Sequence, residues 1–218
     1  MLAPASAVRL LAKSSCPAAA SANGNWTSST VSVPASVEPG DVMVLVTTTN
    51  NTSGTVTGPA GWTLIDGATD GGTDTQSHLW TRIADAGDAG STATVTSSNI
   101  AKMSTQLSAY DNASGITSYA LAFDTVVRAE RTTPVVPVAQ SGSALVSYWA
   151  DKSSSTSTWT MPAGVELREL SVGGGGGRIT SALGDTGSVL AGDAGGLTAV
   201  ADSSNRRGVT WSIVIGPA

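Results

Sequence analysis

Histidine and cysteine, which supply many catalytic and metal-binding side chains, are almost absent from this sequence. Its 218 residues include one histidine, His78, and one cysteine, Cys16. An intramolecular disulfide is excluded because it needs two cysteines, and Cys16 is expected to be a packed apolar residue. A tetrahedral zinc site lacks its usual ligands. His78 falls in an expected strand and is interpreted as structural. We therefore expect no enzymatic activity, no bound metal and no cofactor.

Charge is also scarce, and positive charge most of all. Charged residues make up 12% of the chain, the net charge is -5, and the only lysines are Lys13, Lys102 and Lys152. This balance lacks the basic surface that nucleic acids or anionic membranes require. No segment has the roughly 18 consecutive apolar residues of a membrane-spanning helix. We therefore expect neither nucleic acid binding nor membrane insertion.

Glutamate is too rare to favour a glycosidase. There are four, and Glu38 falls in an expected turn. Glu166 and Glu169 fall on one expected strand, where alternation predicts that they point to opposite faces. A glycosidase needs two carboxylates about 5 to 10 Å apart, and this sequence gives no support for such a pair.

Two glycine-rich loops have compositions that resemble ligand sites. Residues 66–74 contain Asp66, Asp70 and Asp74, but they lack the glutamate-terminated pattern of an EF-hand, so a solvated hairpin turn is the preferred interpretation. Residues 173–177 are all glycine, and no lysine or helix follows them as in a phosphate-binding loop. This run is expected to be a flexible loop.

The abundant residues are serine, threonine, glycine, alanine and valine, which favour strands and tight turns over amphipathic helices. The fold class predicted from them is all-β, a β-sandwich or jelly-roll-like architecture. Residues 42–46 form a continuous apolar run, typical of a strand that is covered on both faces or lies in a sandwich core. The expected strands are 30–33, 42–46, 62–65, 76–84, 92–96, 102–110, 144–150, 165–170, 178–183, 197–201 and 209–215.

An internal repeat divides the chain into two related halves, residues 1–112 and 113–218. Short motifs recur in the same order: residues 39–46, 59–64 and 87–90 align with residues 141–148, 162–167 and 192–195. Two arrangements fit such a chain, two tandem sandwiches or one larger sandwich of about a dozen strands. The junction at residues 111–115 is short and turn-like, which favours a single compact β-sandwich body over residues 1–218.

Tryptophan is unusually common, with six residues against one phenylalanine. Four of them lie in expected strands and are predicted to anchor the core: Trp62, Trp80, Trp149 and Trp211. Trp26 and Trp159 lie in segments rich in serine, threonine and asparagine. We expect these two to be the exposed ones and take them as the candidate ligand or partner surface.

Several motifs together resemble a known group of proteins. They are Pro-Gly-Asp-Val-Met-Val-Leu-Val at 39–46, Gly-Trp-Thr-Leu at 61–64, Leu-Trp-Thr-Arg-Ile-Ala at 79–84, Leu-Ser-Ala-Tyr at 107–110 and Trp-Ser-Ile-Val-Ile-Gly-Pro at 211–217. The pattern resembles β-sandwich virion-associated proteins, of the minor tail or fibre type, from actinobacterial phages, and related secreted modules. These motifs mark strand starts and core tryptophans, so no functional residue is carried over.

The resemblance implies a phage virion structural protein, in the first place a minor tail or fibre component. The alternatives are a head-decoration protein that stabilises the capsid, and a carbohydrate-binding or adhesion module acting on the bacterial surface. The expected partners are other virion proteins, copies of the same chain and, for the last alternative, host cell-surface glycans.

The expected location is the virion, an extracellular particle. Arg9 and Lys13 interrupt the first apolar stretch where a signal peptide needs 7 to 15 apolar residues. The expectation is therefore synthesis in the host cytoplasm without an export signal. Residues 1–8 are apolar and are expected to dock the protein into its particle.

Overall fold

The structure is a computed structural model that describes residues 8–10, 19–72 and 74–218. Every helix or strand assigned in these residues is a β-strand, and the strands form several antiparallel sheets. This confirms the predicted all-β class and is compatible with a β-sandwich. None of the described residues belongs to a helix that is long and apolar enough to cross a membrane. Cys16 lies outside the described residues.

Seventeen strands are formed by the described residues. In the first half they are β1 (Arg9–Leu10), β2 (Ala19–Ser32), β3 (Val42–Thr49), β4 (Val56–Thr57), β5 (Thr63–Thr69), β6 (Gln76–Ile83) and β7 (Thr92–Asp111). In the second half they are β8 (Ala113–Asp124), β9 (Arg128–Thr132), β10 (Val136–Val138), β11 (Ser143–Ser153), β12 (Trp159–Thr160), β13 (Glu166–Val172), β14 (Arg178–Val189), β15 (Gly192–Ala194), β16 (Thr198–Asn205) and β17 (Gly208–Pro217).

The two halves have the same strand order in their main sheets. The order is β2-β7-β3-β6-β5 in the first half and β8-β17-β11-β14-β13 in the second. A smaller set also corresponds, because β7 lies between β2 and β4 just as β16 lies between β9 and β12. Residues 42–46 and 144–150 therefore occupy the central strands of equivalent sheets. The duplication itself stays a prediction from the sequence.

The two main sheets pack face to face through a cluster that we call the shared core. Alternation along β3 directs Val42, Val44 and Val46 into it, while Met43 and Leu45 face the other side. This explains why the run is apolar throughout, since the strand is buried on both faces. The buried residues of the shared core are Val8, Val42, Val44, Val46, Leu79, Tyr110, Ala144, Val146, Tyr148, Ala150, Ile179, Leu183, Val209, Trp211, Ile213 and Ile215.

Each half also has an outer core beneath its smaller sheet. In the first half Met43, Leu45 and Trp80 pack with Val31 and Val95. In the second half one outer cluster is built around Trp149 and Trp159, and another around Leu145 and Val214. The arrangement is thus two layered halves placed back to back.

Hydrogen bonds cross the shared core at buried polar side chains. The Trp211 indole Nε1 donates to Ser77 Oγ at 2.9 Å, and the Tyr148 hydroxyl lies 3.0 Å from Thr48 Oγ1. Each pair joins a side chain of one half to a side chain of the other. Because buried polar groups need partners, these bonds favour one orientation of the halves over others.

The junction between the halves is shorter than predicted. β7 ends at Asp111 and β8 begins at Ala113, so Asn112 alone separates the strands. Its φ of 50° lies in the left-handed region, which asparagine tolerates better than most residues. A one-residue connection of this kind lets β8 start directly after the first half is complete.

The start of the described chain corrects part of the docking hypothesis. Val8 is buried in the shared core, and its backbone N–H donates to the Gly142 carbonyl at 2.9 Å. Val8 is therefore an internal contact between the halves and is not available to a partner, so its inclusion in the docking segment 1–8 is wrong. Residues 1–7 lie outside the described residues.

Charged and polar contacts join the halves at one end of the molecule, at a site we call the polar junction. Lys152 Nζ and Arg207 Nε lie 3.0 and 2.9 Å from Asp74 Oδ1. Lys102 Nζ donates to the Gly174 carbonyl at 2.7 Å, and Asn50 Nδ2 donates to the Gly177 carbonyl at 2.9 Å. The glycine run, expected as a flexible loop, is thus held by side chains of the other half.

Asp74→Asn is expected to lower the free energy of unfolding by less than about 1 kcal/mol at neutral pH, because the ion pairs are partly exposed. Hydrogen bonds from Arg207 and Lys152 lower the pKa of Asp74 below its usual value. The stability that this gives is present above the unfolded-state pKa, about 3.9, and is lost as the pH falls through the folded-state pKa. Urea unfolding of the wild type and of Asp74→Asn should show that the difference in their free energies of unfolding shrinks as the pH falls through this range. A difference that grows on acidification would contradict the assignment.

Candidate functional site

The two tryptophans predicted to share an exposed surface are in different environments. Trp26, on β2, is 65% exposed, as expected. Trp159, on β12, is only 5% exposed and packs in the outer core with Trp149. The prediction that Trp159 is exposed is therefore wrong. Trp159 lies on a short strand, Trp159–Thr160, that pairs with β16, and its indole packs against Trp149 and Ala201.

Trp26 lies where the pairing of β2 with β7 is interrupted. It stands opposite Ala101, and the register shifts before Ser28 pairs with Thr96. A bulge of this kind increases the local twist and redirects side chains. Ile100, in the stretch of β7 that the shift leaves without a partner on β2, is 66% exposed. The bulge thus places two large apolar side chains in solvent on neighbouring strands.

Gly24 determines how the Trp26 indole lies. The two residues are two positions apart on β2, and a Cβ added at Gly24 would overlap Nε1 and Cδ1 of the ring. The pyrrole edge of the indole therefore occupies the space that a side chain at position 24 would fill. The indole lies along its own strand, with most of its surface open to solvent.

A depression of about 330 Å³ lies beside the indole, and we call it the Trp26 surface. Its lining is neutral and mostly polar: Ala22, Asn23, Trp26, Ser28, Ser29 and Thr30. Ser29 is largely buried, and its hydroxyl has no hydrogen-bond partner among the described residues. Because this oxygen is buried, it is not open to a ligand, and the exposed hydroxyls of the Trp26 surface are those of Ser28 and Thr30.

Asn23 anchors this surface to the second half. Its Nδ2 donates to Ser171 Oγ at 3.1 Å and to the Ile179 carbonyl at 3.0 Å. Ser21, two residues earlier on the same strand, donates to Glu169 Oε1 at 2.7 Å. Because β2 is tied to the other half at alternate positions, the strand that carries Trp26 has a braced backbone.

A second depression, of about 310 Å³, lies beside the half-buried Trp62 and includes Arg82 and Asp88. The Arg82 guanidinium is already occupied there, with Nε 2.9 Å from Asp88 Oδ2 and an Nη 2.7 Å from Asp85 Oδ2. The bond to Asp88 raises the pKa of Arg82 above its usual value. Arg82 therefore braces the turn after β6 and has little capacity left for an anionic ligand.

The single histidine has a structural environment. The His78 ring stacks on Trp80 with centroids 5.5 Å apart, and Gly67 on the neighbouring strand leaves room for it. Burial lowers the pKa of His78, which favours the neutral imidazole. The structural interpretation of His78 is consistent with these contacts.

Two of the carboxylates singled out in the sequence, Asp70 and Glu166, make local structural contacts. Asp70 accepts hydrogen bonds from the backbone N–H groups of Gly72 and Thr75, as in a hairpin turn. Glu166 pairs with Arg168 at 2.6 Å. A bulge between Leu167 and Glu169 interrupts the alternation that predicted opposite faces for the two glutamates. Within residues 8–10, 19–72 and 74–218, no group of three or more His, Cys, Asp or Glu side chains could hold a metal ion.

Comparison with known proteins adds no family to these observations. No family model, no curated protein and no solved structure matches the chain. The function is therefore argued from the Trp26 surface and from the body that carries it.

Proposed function

We propose that the protein is a structural component of a phage virion, in the first place of a tail or fibre, and that it presents the Trp26 surface to the outside. The observation that carries this proposal is an exposed indole on a strand that is braced against the second half. Such a body suits the display of a surface, because the shared core resists relative movement of the halves. The motif resemblance supports the same role.

Contact with other virion proteins or with a second copy is proposed to use loops of the second half. Four large apolar residues in loops of the second half are exposed: Val126, Val127, Val135 and Leu190. A stable protein contact buries about 1,200 Å² or more in total, and such a contact would remove these apolar side chains from water. This proposal replaces Val8 as a docking residue.

Immuno-electron microscopy of virus particles purified from the producing strain tests the proposal. Antibodies against the purified protein are expected to label tails or fibres, and antibody pre-absorbed with the protein is the control. Label on the head would replace the tail assignment with the head-decoration alternative. Particles without label, with the protein recovered only in the unassembled fraction, would contradict a virion role.

A further inference from the structure

We infer that the Trp26 surface binds a neutral oligosaccharide, with the Trp26 indole stacked on a pyranose ring. This inference rests on the proposed surface role, and it names the ligand that the surface would take. An indole offers an extended π-face, and the axial C–H groups on one side of a pyranose are apolar and slightly positive, which suits that face. The space above Gly24 lets the ring lie along its strand with most of its surface open to a ligand.

The lining beside the indole fits the remaining groups of a sugar. Ser28 and Thr30 carry exposed hydroxyl groups, which can donate to and accept from sugar hydroxyls. The volume of about 330 Å³ is at the lower end of the range for small-molecule sites, about 300 to 1,000 Å³.

The charges near this surface disfavour other stacking ligands. None of the side chains that line the depression is ionisable, and the nearby Lys102 donates to the Gly174 carbonyl. A single-stranded nucleic acid would also stack on an aromatic ring, but it requires a positively charged groove along its backbone. An anionic polysaccharide lacks a cationic partner for the same reason. A neutral sugar needs neither.

Gly24→Ala gives a direct test, because it moves the indole without removing it. Gly24 does not have a positive φ, so alanine fits the backbone, and the added methyl overlaps only the Trp26 ring among the contacts at that position. The exposed ring can swing outward, so the melting temperature should stay within about 2 °C of the wild-type value. Trp26→Ala is the complete deletion, and Leu190→Ala, at another highly exposed apolar residue, is the matched control.

The probes are hexasaccharides of glucose, galactose and N-acetylglucosamine, with polygalacturonate as the charged comparison, each titrated into the full chain by calorimetry. At least one neutral hexasaccharide is expected to bind. Gly24→Ala and Trp26→Ala should each raise its Kd about tenfold or more, which corresponds to about 1.4 kcal/mol. Leu190→Ala should leave the Kd unchanged.

Two results would overturn the inference. One is that none of the neutral hexasaccharides binds at concentrations up to about 10 mM, which would occupy even a site with a Kd of about 1 mM. The other is binding that persists at wild-type strength in both Gly24→Ala and Trp26→Ala. Labelled particles together with a protein that binds no sugar would remove this inference alone. Sugar binding by a protein absent from particles would remove the virion role alone.

Discussion

Arg131→Met is expected to lower the free energy of unfolding by about 3 to 5 kcal/mol, because it leaves a buried carboxylate without its cation. Both side chains are fully buried, and Arg131 Nε lies 2.9 Å from Asp151 Oδ1. The same guanidinium donates to Asp124 Oδ2 at 3.0 Å and to the Asn205 carbonyl at 2.6 Å. One side chain thus joins β9, β11 and the segments that end β8 and β16.

The pH dependence of this loss has a definite sign. Burial raises the pKa of Asp151, and Arg131 opposes that rise. Without Arg131 the pKa of Asp151 should rise further. The buried carboxylate then destabilises the folded protein at neutral pH, and this destabilisation disappears as the pH falls below the pKa that Asp151 has in the unfolded chain. Urea unfolding should therefore show the difference between Arg131→Met and wild type shrinking on acidification.

A double variant separates the ion pair from simple packing. In Arg131→Met with Asp151→Leu both charges are gone, and the buried pair is replaced by apolar groups. We expect the double variant to be less destabilised than the sum of the two single variants. Strict additivity would contradict a direct interaction between these side chains, and a loss below about 1 kcal/mol for Arg131→Met would contradict the burial of the pair.

Trp211→Ala is expected to lower the free energy of unfolding by about 3 to 5 kcal/mol, since truncating a buried tryptophan leaves a large cavity. Trp211 is fully buried in the shared core, donates to Ser77 across the halves, and lies 6.5 Å from the Tyr119 ring between centroids. Ser77→Ala removes the acceptor, together with the contact of the Ser77 hydroxyl to Thr48 Oγ1 at 2.9 Å, and should cost about 1 to 3 kcal/mol.

The exposed Trp26 supplies the matched control for this prediction. Trp26→Ala removes the same side chain from a surface position and should change stability by less than about 0.5 kcal/mol. Urea unfolding of the three variants measures all of these differences on one scale. Equal losses for Trp211→Ala and Trp26→Ala would contradict the assignment of Trp211 to the shared core.

The sequence predicts a strand correctly where apolar side chains mark its buried faces. Residues 42–46 were recognisable because both faces of β3 are covered, and Trp80 and Trp211 are buried as expected, whereas Trp62 is only half-buried. β8 was missed, because its start was assigned to a turn and its residues are mostly half-buried, with a weak alternation. The first part of β2 was missed for a similar reason, since it is rich in small polar residues.

The environments of the site residues depend on tertiary contacts that no local sequence pattern reveals. Trp26 and Trp159 have similar neighbours in sequence, and only the pairing of β12 with β16 distinguishes the buried one. The role of Gly24 under the indole could have been suspected from its spacing of two residues on a strand. The Arg131 network joins residues far apart in the chain, so no local pattern predicts it.

Differential scanning calorimetry of the full chain distinguishes two halves that share one core from two halves that unfold separately. Because the shared core joins the halves, we expect one transition, with equal calorimetric and van't Hoff enthalpies and an enthalpy of about 150 kcal/mol near 60 °C for a chain of this length. Two separable transitions of about half that enthalpy each would show that the halves unfold independently, and would contradict the shared core.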